Sequence, residues 1–348
     1  MTAKKWLDRG VYLCSMLLSK WINQDKDPKL LTFNSILCVK EDEIGDFVYT
    51  LPVYSMLRKQ FPNSKITVLC RPFGVHLLSQ NKEVDVVTAD YSLLESHYDL
   101  LIDLRGTPAS TKLALSKSPM YRLDRGTQRY QNRKAGNHPH EAETNWSIVK
   151  TVIEEKYKNL NPKIYLSEEN KKQAMDFLNT ANITRFAIFH TGARRILKKW
   201  PLERIVNIMN WLHKEHHLDC VLAGDALDAN DASEIQSQLD FTLHVAAGKL
   251  NLLGFAALCE KASLFLGNDS GPLHIAAAMG TPSLGLYGPG DPIFHPRASN
   301  AAFLHHILEC NPCDQVHCKY KENPCIQRIS VDEVKGKIGE LWGEFIEK

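Results

Sequence analysis

Short runs that are apolar at nearly every position, each trailed by a segment of helical spacing, recur along this chain and leave few folds open to it. Ser35-Ile-Leu-Cys-Val, Lys65-Ile-Thr-Val-Leu-Cys, Val84-Asp-Val-Val and Asp99-Leu-Leu-Ile-Asp-Leu form one series. Arg185-Phe-Ala-Ile-Phe-His, Asp219-Cys-Val-Leu-Ala-Gly, Phe241-Thr-Leu-His-Val, Ser263-Leu-Phe-Leu-Gly and Pro282-Ser-Leu-Gly-Leu-Tyr form a second. A strand with one wet face alternates apolar and polar residues, whereas a strand covered on both faces does not. Continuous runs alternating with amphipathic helices therefore predict parallel sheets sandwiched between helices, the α/β class. At 348 residues the chain exceeds what one core ordinarily holds, and the two series predict two Rossmann-like, doubly wound domains. The predicted division is an N-terminal helix over residues 1–30, a first domain over 31–165, a second over 166–330 and a C-terminal helix over 331–348, with Asn161-Pro162 at the joint. Two such domains in succession predict a cleft, with ligands at the carboxyl ends of the strands.

Composition narrows the partners. With 42 Lys and Arg against 40 Asp and Glu the formal charge is +2, and no nucleic-acid partner is expected. No apolar run reaches the roughly 20 residues that cross a bilayer. Val11 to Leu18 is the longest early apolar stretch; Asp8, Arg9 and Lys20 flank it and no small-residue cleavage site follows, so no secretion signal is expected. Of the 9 cysteines, Cys14, Cys38, Cys70, Cys220 and Cys259 lie apart in apolar or helical surroundings and read as reduced, buried thiols of a cytoplasmic protein. Trp6, Val11, Leu13, Met16, Leu17, Trp21 and Ile22 recur at helical spacing among Lys4, Lys5, Arg9 and Lys20. Such a basic amphipathic helix fits an anionic membrane surface; its simpler use is to pack on the protein's own second domain.

Three motifs follow strands. Gly267-Asn-Asp-Ser-Gly-Pro-Leu-His-Ile-Ala-Ala-Ala-Met-Gly-Thr-Pro ends a strand, turns tightly and opens a helix with Pro272 in its first turn. Ser270 and Gly271 then present backbone N–H groups at a positive helix terminus, where a diphosphate can sit, and Asp269 stands ready to accept from ligand hydroxyls. An ordinary N-cap is the competing reading, and His274 suits core packing as well as ligand contact. In the first domain, Asp42-Glu-Ile-Gly-Asp-Phe-Val-Tyr-Thr-Leu-Pro follows the first strand at once. Gly45 permits close approach and Asp46 opens a helix, as a general base facing the cleft or as a plain N-cap. His190-Thr-Gly-Ala-Arg-Arg-Ile-Leu-Lys-Lys-Trp-Pro offers Arg194, Arg195, Lys198 and Lys199 to a departing nucleotide's phosphates, or to solvent.

Taken together, Gly-Asp-x-x-x-Thr-Leu-Pro, Lys-x-Trp-Pro and Asp-Ser-Gly-Pro-x-His-x-Ala-Ala-Ala-x-Gly-Thr-Pro, the last followed by Leu-Tyr-Gly-Pro-x-Asp-Pro, resemble the ADP-heptose:lipopolysaccharide heptosyltransferase family, glycosyltransferase family 9. The likeness covers about residues 32 to 345 and is most specific over 267–292. It implies a GT-B fold of two Rossmann-like domains facing a central cleft, an inverting mechanism with no required cofactor or metal, and a nucleotide-sugar donor. Asp46 would then deprotonate the acceptor hydroxyl. Lys198 would hold donor phosphate, Asp269 the donor sugar, and Ser270, Gly271 and Pro272 the diphosphate, with Thr191, Gly192 and His274 lining the pocket. Asp225, in Gly224-Asp225-Ala226, stands where family members often carry an acidic or amide residue near the nucleotide. A transferase using another nucleotide sugar or glycan is the nearest alternative, and a non-catalytic scaffold with a cysteine metal site the next.

Two clusters remain. Lys117 to His138 holds Lys117, Arg122, Arg125, Arg129, Arg133 and Lys134 against the single Asp124, and reads as a long loop suited to an anionic glycolipid acceptor or to solvent. Such an acceptor would place the protein in the cytoplasm, at the inner membrane's cytoplasmic face. Cys310, Cys313, Cys318 and Cys325, with His317 nearby, have a spacing open to structural thiols, to zinc or to an iron–sulfur cluster.

Overall fold

The structure, a computed structural model, describes residues 3–345, with side chains for residue 10 and for 12–343. Trp6 and Val11 of the helical pattern lie outside those side chains. The chain divides into two compact units, Met1–Tyr165 and Leu166–Lys348.

The first unit runs α1 (Ala3–Ile22), β1 (Ser35–Lys40), α2 (Ile44–Val48), α3 (Leu51–Gln60), β2 (Lys65–Cys70), α4 (Pro72–Leu78), β3 (Val86–Thr88), β4 (Leu100–Asp103), α5 (Pro108–Ser116), β5 (Tyr121–Asp124), α6 (Arg125–Lys134) and α7 (Glu141–Val149). Its five parallel strands lie in the order β3-β2-β1-β4-β5, with Ile36 opposite both Ile66 and Leu100. Helices cover both faces, so β1 is wholly apolar and buried from Ile36 to Val39. The order reverses direction beside β1: the chain goes one way to β2 and returns on the other side to β4. Such a switch leaves a crevice at the carboxyl ends of those two strands.

Three expectations fail in this unit. The helix expected from Gly45 to Gln60 is two helices, because Pro52 supplies no N–H and Thr50 instead turns its hydroxyl onto the Phe47 carbonyl at 2.7 Å. Asp46 accordingly sits inside the first turn of α2, after Glu43 as N-cap. The basic stretch expected as a loop is β5 and α6. It escaped the apolar criterion because Arg122 and Asp124 stand inside the strand, buried and paired with each other.

That pair also explains α1, which packs on β5 and α6 of its own unit. Ser15 and Ser19 donate to Asp124 at 2.7 and 2.5 Å, and Arg122 Nη1 donates to the Ser15 carbonyl and to Ser19 Oγ. A buried ion pair needs its remaining lone pairs and protons satisfied. The helix therefore turns its hydroxyls inward, and Leu13, Leu17 and Trp21 are exposed at 40, 54 and 70%.

The second unit runs α8 (Glu168–Thr180), β6 (Phe186–His190), α9 (Leu202–His216), β7 (Asp219–Leu222), α10 (Ala232–Gln236), β8 (Leu243–Val245), α11 (Leu252–Lys261), β9 (Leu264–Asn268), α12 (Gly271–Ala278), β10 (Ser283–Tyr287), β11 (Ala301–His305) and α13 (Val331–Phe345). The sheet is parallel in the order β11-β10-β9-β6-β7-β8. Its sixth strand, β11, was not expected, because it lies at an edge and is only partly covered. Here too the order reverses beside the first strand, between β6 and β9. The C-terminal segment closes the core: Val334, Ile338 and Leu341 of α13 are buried with Leu212 of α9 and Leu284 of β10. Emptying such a position by Leu→Ala ordinarily costs about 2–5 kcal/mol. No helix among the described residues is long and apolar enough to cross a membrane.

Candidate active site

At the β6–β9 switch, His190 closes β6 opposite Gly267 of β9. A side chain at Gly267 would strike the ring of Phe265 on the same strand and crowd His190 across it, so glycine suits the position. Asn268, the next residue, ties down both ends of one loop. Its Nδ2 donates to the Thr191 carbonyl at 2.8 Å, while its Oδ1 accepts from the Trp200 N–H at 3.0 Å. Trp200, itself buried, donates from its indole to the Ile329 carbonyl at 3.0 Å. The loop from Thr191 to Trp200 is thus pinned at both ends. On it Lys198 Nζ meets Asp269 Oδ2 at 2.6 Å, and Thr191 Oγ1 donates to Asp231 at 2.6 Å.

Ser270 is the N-cap of α12, yet its side chain caps nothing on that helix, and Pro272 occupies the first turn. The hydroxyl lies instead 3.1 Å from His190 Nδ1 and 3.1 Å from the Asn268 carbonyl. The N-cap side chain thus leaves the positive end of α12 uncapped, which suits an anion. Behind it, His190 Nε2 lies 3.3 Å from Asp228 Oδ2. Burial pushes the Asp228 carboxyl up, but the hydrogen bond and charge of His190, the Asp225 N–H and Lys199 together hold it below the usual carboxylate range. A Cβ at Gly192 or Gly224 would overlap the Asp228 carboxylate, which is why glycine stands at both positions.

Thr191, Gly192, Lys198, Asp269, Ser270, Gly271 and Pro272 thus gather at one sheet edge. His274 lies one turn further along α12 and is buried. Asp225 does not join them: its Oδ1 accepts from the Leu227 and Asp228 N–H groups at 2.7 and 3.2 Å, closing its own turn. The acidic residues after β7 that reach the edge are Asp228, beside His190, and Asp231, beside Thr191. Neither of these two was singled out from sequence, and Asn268 and His190 were noted only as members of motifs.

At the β1–β4 switch the chemistry is ionic. Lys40 ends β1 and is fully buried, with Nζ 2.6 Å from Asp42 and 3.3 Å from the Leu104 carbonyl. Asp42 also pairs with Arg105, and with Arg125 at 3.3 Å. Arg125 continues to Glu141 at 2.5 Å, and Arg129 stands 4.0 Å from the same carboxylate. Burial, with Arg125 next, lowers Lys40 to about 7 against the opposing pull of Asp46 and Glu141. Lys40, Arg105, Arg125 and Arg129 are interleaved here with Asp42, Asp46 and Glu141, and Glu41 also acts on Arg105. Asp46 itself is half-buried beside this network.

The four arginines of the basic stretch part company. Arg125 and Arg129 reach this edge. Arg122 is fully buried between Asp103 and Asp124, at 3.1 and 3.3 Å, where no acceptor can touch it. Arg133 lies with its guanidinium 5.0 Å from the Tyr12 ring of α1. Lys40, Arg105 and Glu141 were not anticipated, although a lysine ending an apolar strand is a readable signal.

All nine cysteines are free, and Cys14 is exposed rather than buried. Cys310, Cys313, Cys318 and Cys325 line one cavity of about 50 Å³ with Leu197 and Pro289, and the Gln315 N–H donates to Cys313 Sγ at 3.4 Å. Among the described residues, no three His, Cys, Asp or Glu side chains are grouped so as to hold a metal ion.

The chain as a whole resembles known proteins. The model of glycosyltransferase family 9 (heptosyltransferase) matches residues 88–323, across both units. Lipopolysaccharide heptosyltransferase 3 of Escherichia coli is 25% identical over 279 residues, 72% of this chain and 82% of that protein. Among solved structures, a family 9 glycosyl transferase from Veillonella parvula superposes with a TM-score of 0.74 at 21% identity, over 89% of this chain and 97% of its own. The E. coli ADP-heptose LPS heptosyltransferase II does so with a TM-score of 0.69 at 22% identity, over 89% and 99%. With a family match over well more than half its length, and a GT-B fold of two Rossmann-like units, the chain belongs to glycosyltransferase family 9 and is a glycosyltransferase.

Proposed function

We propose that the protein transfers a heptose from ADP-heptose to an acceptor in the inner core of lipopolysaccharide, with inversion at the anomeric carbon. The observation that carries this reading is the pairing of Lys198 with an N-cap serine that leaves α12 uncapped at one switch point, and of Asp46 with the Arg125 and Arg129 cluster at the other. Inversion requires a single displacement. The acceptor oxygen bonds to the anomeric carbon, the bond to the donor phosphate breaks, and Asp46 takes the hydroxyl proton. The electron pair leaves on ADP, whose charge Lys198 and the N–H groups of α12 stabilise. Asp269, freed from Lys198 by the phosphate, accepts from donor-sugar hydroxyls. Arg125 and Arg129 receive the carboxylates or phosphates of the acceptor. Since lysine and helix terminus supply the positive charge, transfer needs no metal or cofactor.

The acceptor is a glycolipid, and the exposed Leu13, Leu17 and Trp21 on α1 fit contact with the cytoplasmic face of the inner membrane. The reading is tested by incubating the protein with ADP-heptose and a truncated lipopolysaccharide core in EDTA, and reading the new linkage by NMR. An α-linked product from a β-configured donor, or the reverse, supports it. Transfer only from a UDP- or GDP-sugar would replace the named donor. Sedimentation with anionic vesicles that is lost in Leu17→Asp would support the membrane contact, and no sedimentation of the wild type would refute it.

A further inference from the structure

At the β6–β9 edge one hydroxyl has more partners than protons. Ser270 Oγ owns a single hydrogen and stands 3.1 Å from two atoms able to take it, His190 Nδ1 and the Asn268 carbonyl oxygen. On the far side of the ring, Nε2 faces Asp228 at 3.3 Å. Asp228 is held as a carboxylate and can only accept, so Nε2 carries a hydrogen. What remains open is Nδ1, and it decides where the Ser270 proton points.

If the ring is neutral, Nδ1 is a bare acceptor and Ser270 gives it the hydroxyl proton. Oγ then turns lone pairs toward the start of α12, against any phosphate seated there. If the ring is an imidazolium, Nδ1–H donates to Ser270 Oγ. The hydroxyl proton is then released to the Asn268 carbonyl or, when a diphosphate is present, to a phosphate oxygen. The two protonation states of one ring thus correspond to two orientations of the hydroxyl beside the anion seat.

Charged groups of both signs surround the ring. Asp228 favours the imidazolium; Lys199, behind Asp228, opposes it. Asp231 is held by Thr191, and the Lys198–Asp269 pair flanks Ser270. Gly192, Gly224 and Gly267 bring no charge, and at Gly192 and Gly224 any side chain would displace the Asp228 carboxylate. A bound diphosphate adds negative charge and so favours the protonated ring.

We propose that His190 is a positioning residue for the donor's diphosphate, taking one proton from solvent as the diphosphate binds and turning the Ser270 hydroxyl onto it. This rests on the nucleoside diphosphate seat proposed above. It makes donor binding, and retention of the leaving nucleotide, proton-linked: affinity falls by up to about tenfold per pH unit once the ring of the free protein is neutral.

The test is calorimetric titration of the full chain with ADP in EDTA, from pH 6 to 9, in two buffers of different ionisation enthalpy. The wild type is expected to take up close to one proton per ADP above neutral pH. His190→Gln is expected to lose both the uptake and the pH slope, and to bind roughly ten- to a hundredfold more weakly at pH 6. Asp228→Asn, which cannot stabilise the imidazolium as a carboxylate does, should move the fall in affinity to lower pH. Proton uptake in His190→Gln equal to the wild type would overturn the proposal, as would a wild type that binds ADP without uptake, whether or not the variant folds. A folded wild type that ignores ADP would instead remove the donor reading on which the proposal stands.

Discussion

At the β1–β4 edge of the first sheet the chain places long charged side chains; at the β6–β9 edge of the second it places glycines, one serine and the start of a helix. The first edge is built by compensation. Lys40, Arg105 and Arg125 share Asp42, and Arg125 and Arg129 share Glu141, so that each charge is held by another. The second is built by close approach, with Gly192, Gly224 and Gly267 leaving room for an aspartate, a histidine and exposed backbone donors. Side-chain charge tolerates a ligand of variable shape but needs countercharges to survive burial. Backbone donors need no countercharge, but they fix the ligand's position and leave no room for a Cβ. The contrast matches an acceptor met as a charge pattern and a diphosphate met as a fixed geometry.

The largest break in this comparison should come from Asp46→Asn. Transfer is expected to fall by about 10²–10⁴-fold, the ordinary worth of a positioned base, with ADP affinity and unfolding midpoint unchanged. Equal loss of ADP binding would move Asp46 out of its assigned role. Next is Arg122→Leu, which strands Asp103 and Asp124 and should destabilise the protein by about 3–5 kcal/mol in urea unfolding. A neutral result would mean that the compensation at this edge is not what holds β5 to α1.

The edges differ in how far they could be read from sequence, for the same physical reason. The second edge is largely local: strand end, turn and helix start fall within residues 264–278, so their residue types announced an anion seat. Its unread part, Asp228 against His190, joins turns 38 positions apart, and Asp225 is the acid that the local pattern suggests. The first edge is mostly non-local. Arg122 looked like a surface cation because nothing in Tyr121 to Asp124 reveals that Ser15 and Ser19 approach from α1. Leu13, Leu17 and Trp21 looked like the buried face of that helix for the same reason. Apolar strands disclosed both sheets, and β5 and β11 escaped because one holds charges and the other is an edge.

Smaller effects sharpen the comparison. Lys198→Ala should weaken ADP by roughly ten- to a hundredfold, the worth of a charged hydrogen bond, and leave stability nearly unchanged, since Asp269 is left partly exposed. No weakening would shift the phosphate contact to Arg194, Arg195 or Lys199. A further prediction concerns Lys40. Its folded value of about 7 lies below the ordinary 10.5. Between those values the unfolded chain holds a proton that the folded chain has given up, so this group's contribution makes stability rise with pH. Lys40→Met should flatten that part of the profile between pH 7 and 10, and an unaltered slope would show that Lys40 stays charged beside Asp42.

The most direct measurement is calorimetric titration of the wild type, in EDTA, with ADP-heptose and separately with UDP- and GDP-sugars. The account predicts selective binding of the ADP sugar without metal. Binding that appears only when metal is restored, or that favours a UDP- or GDP-sugar, would contradict it.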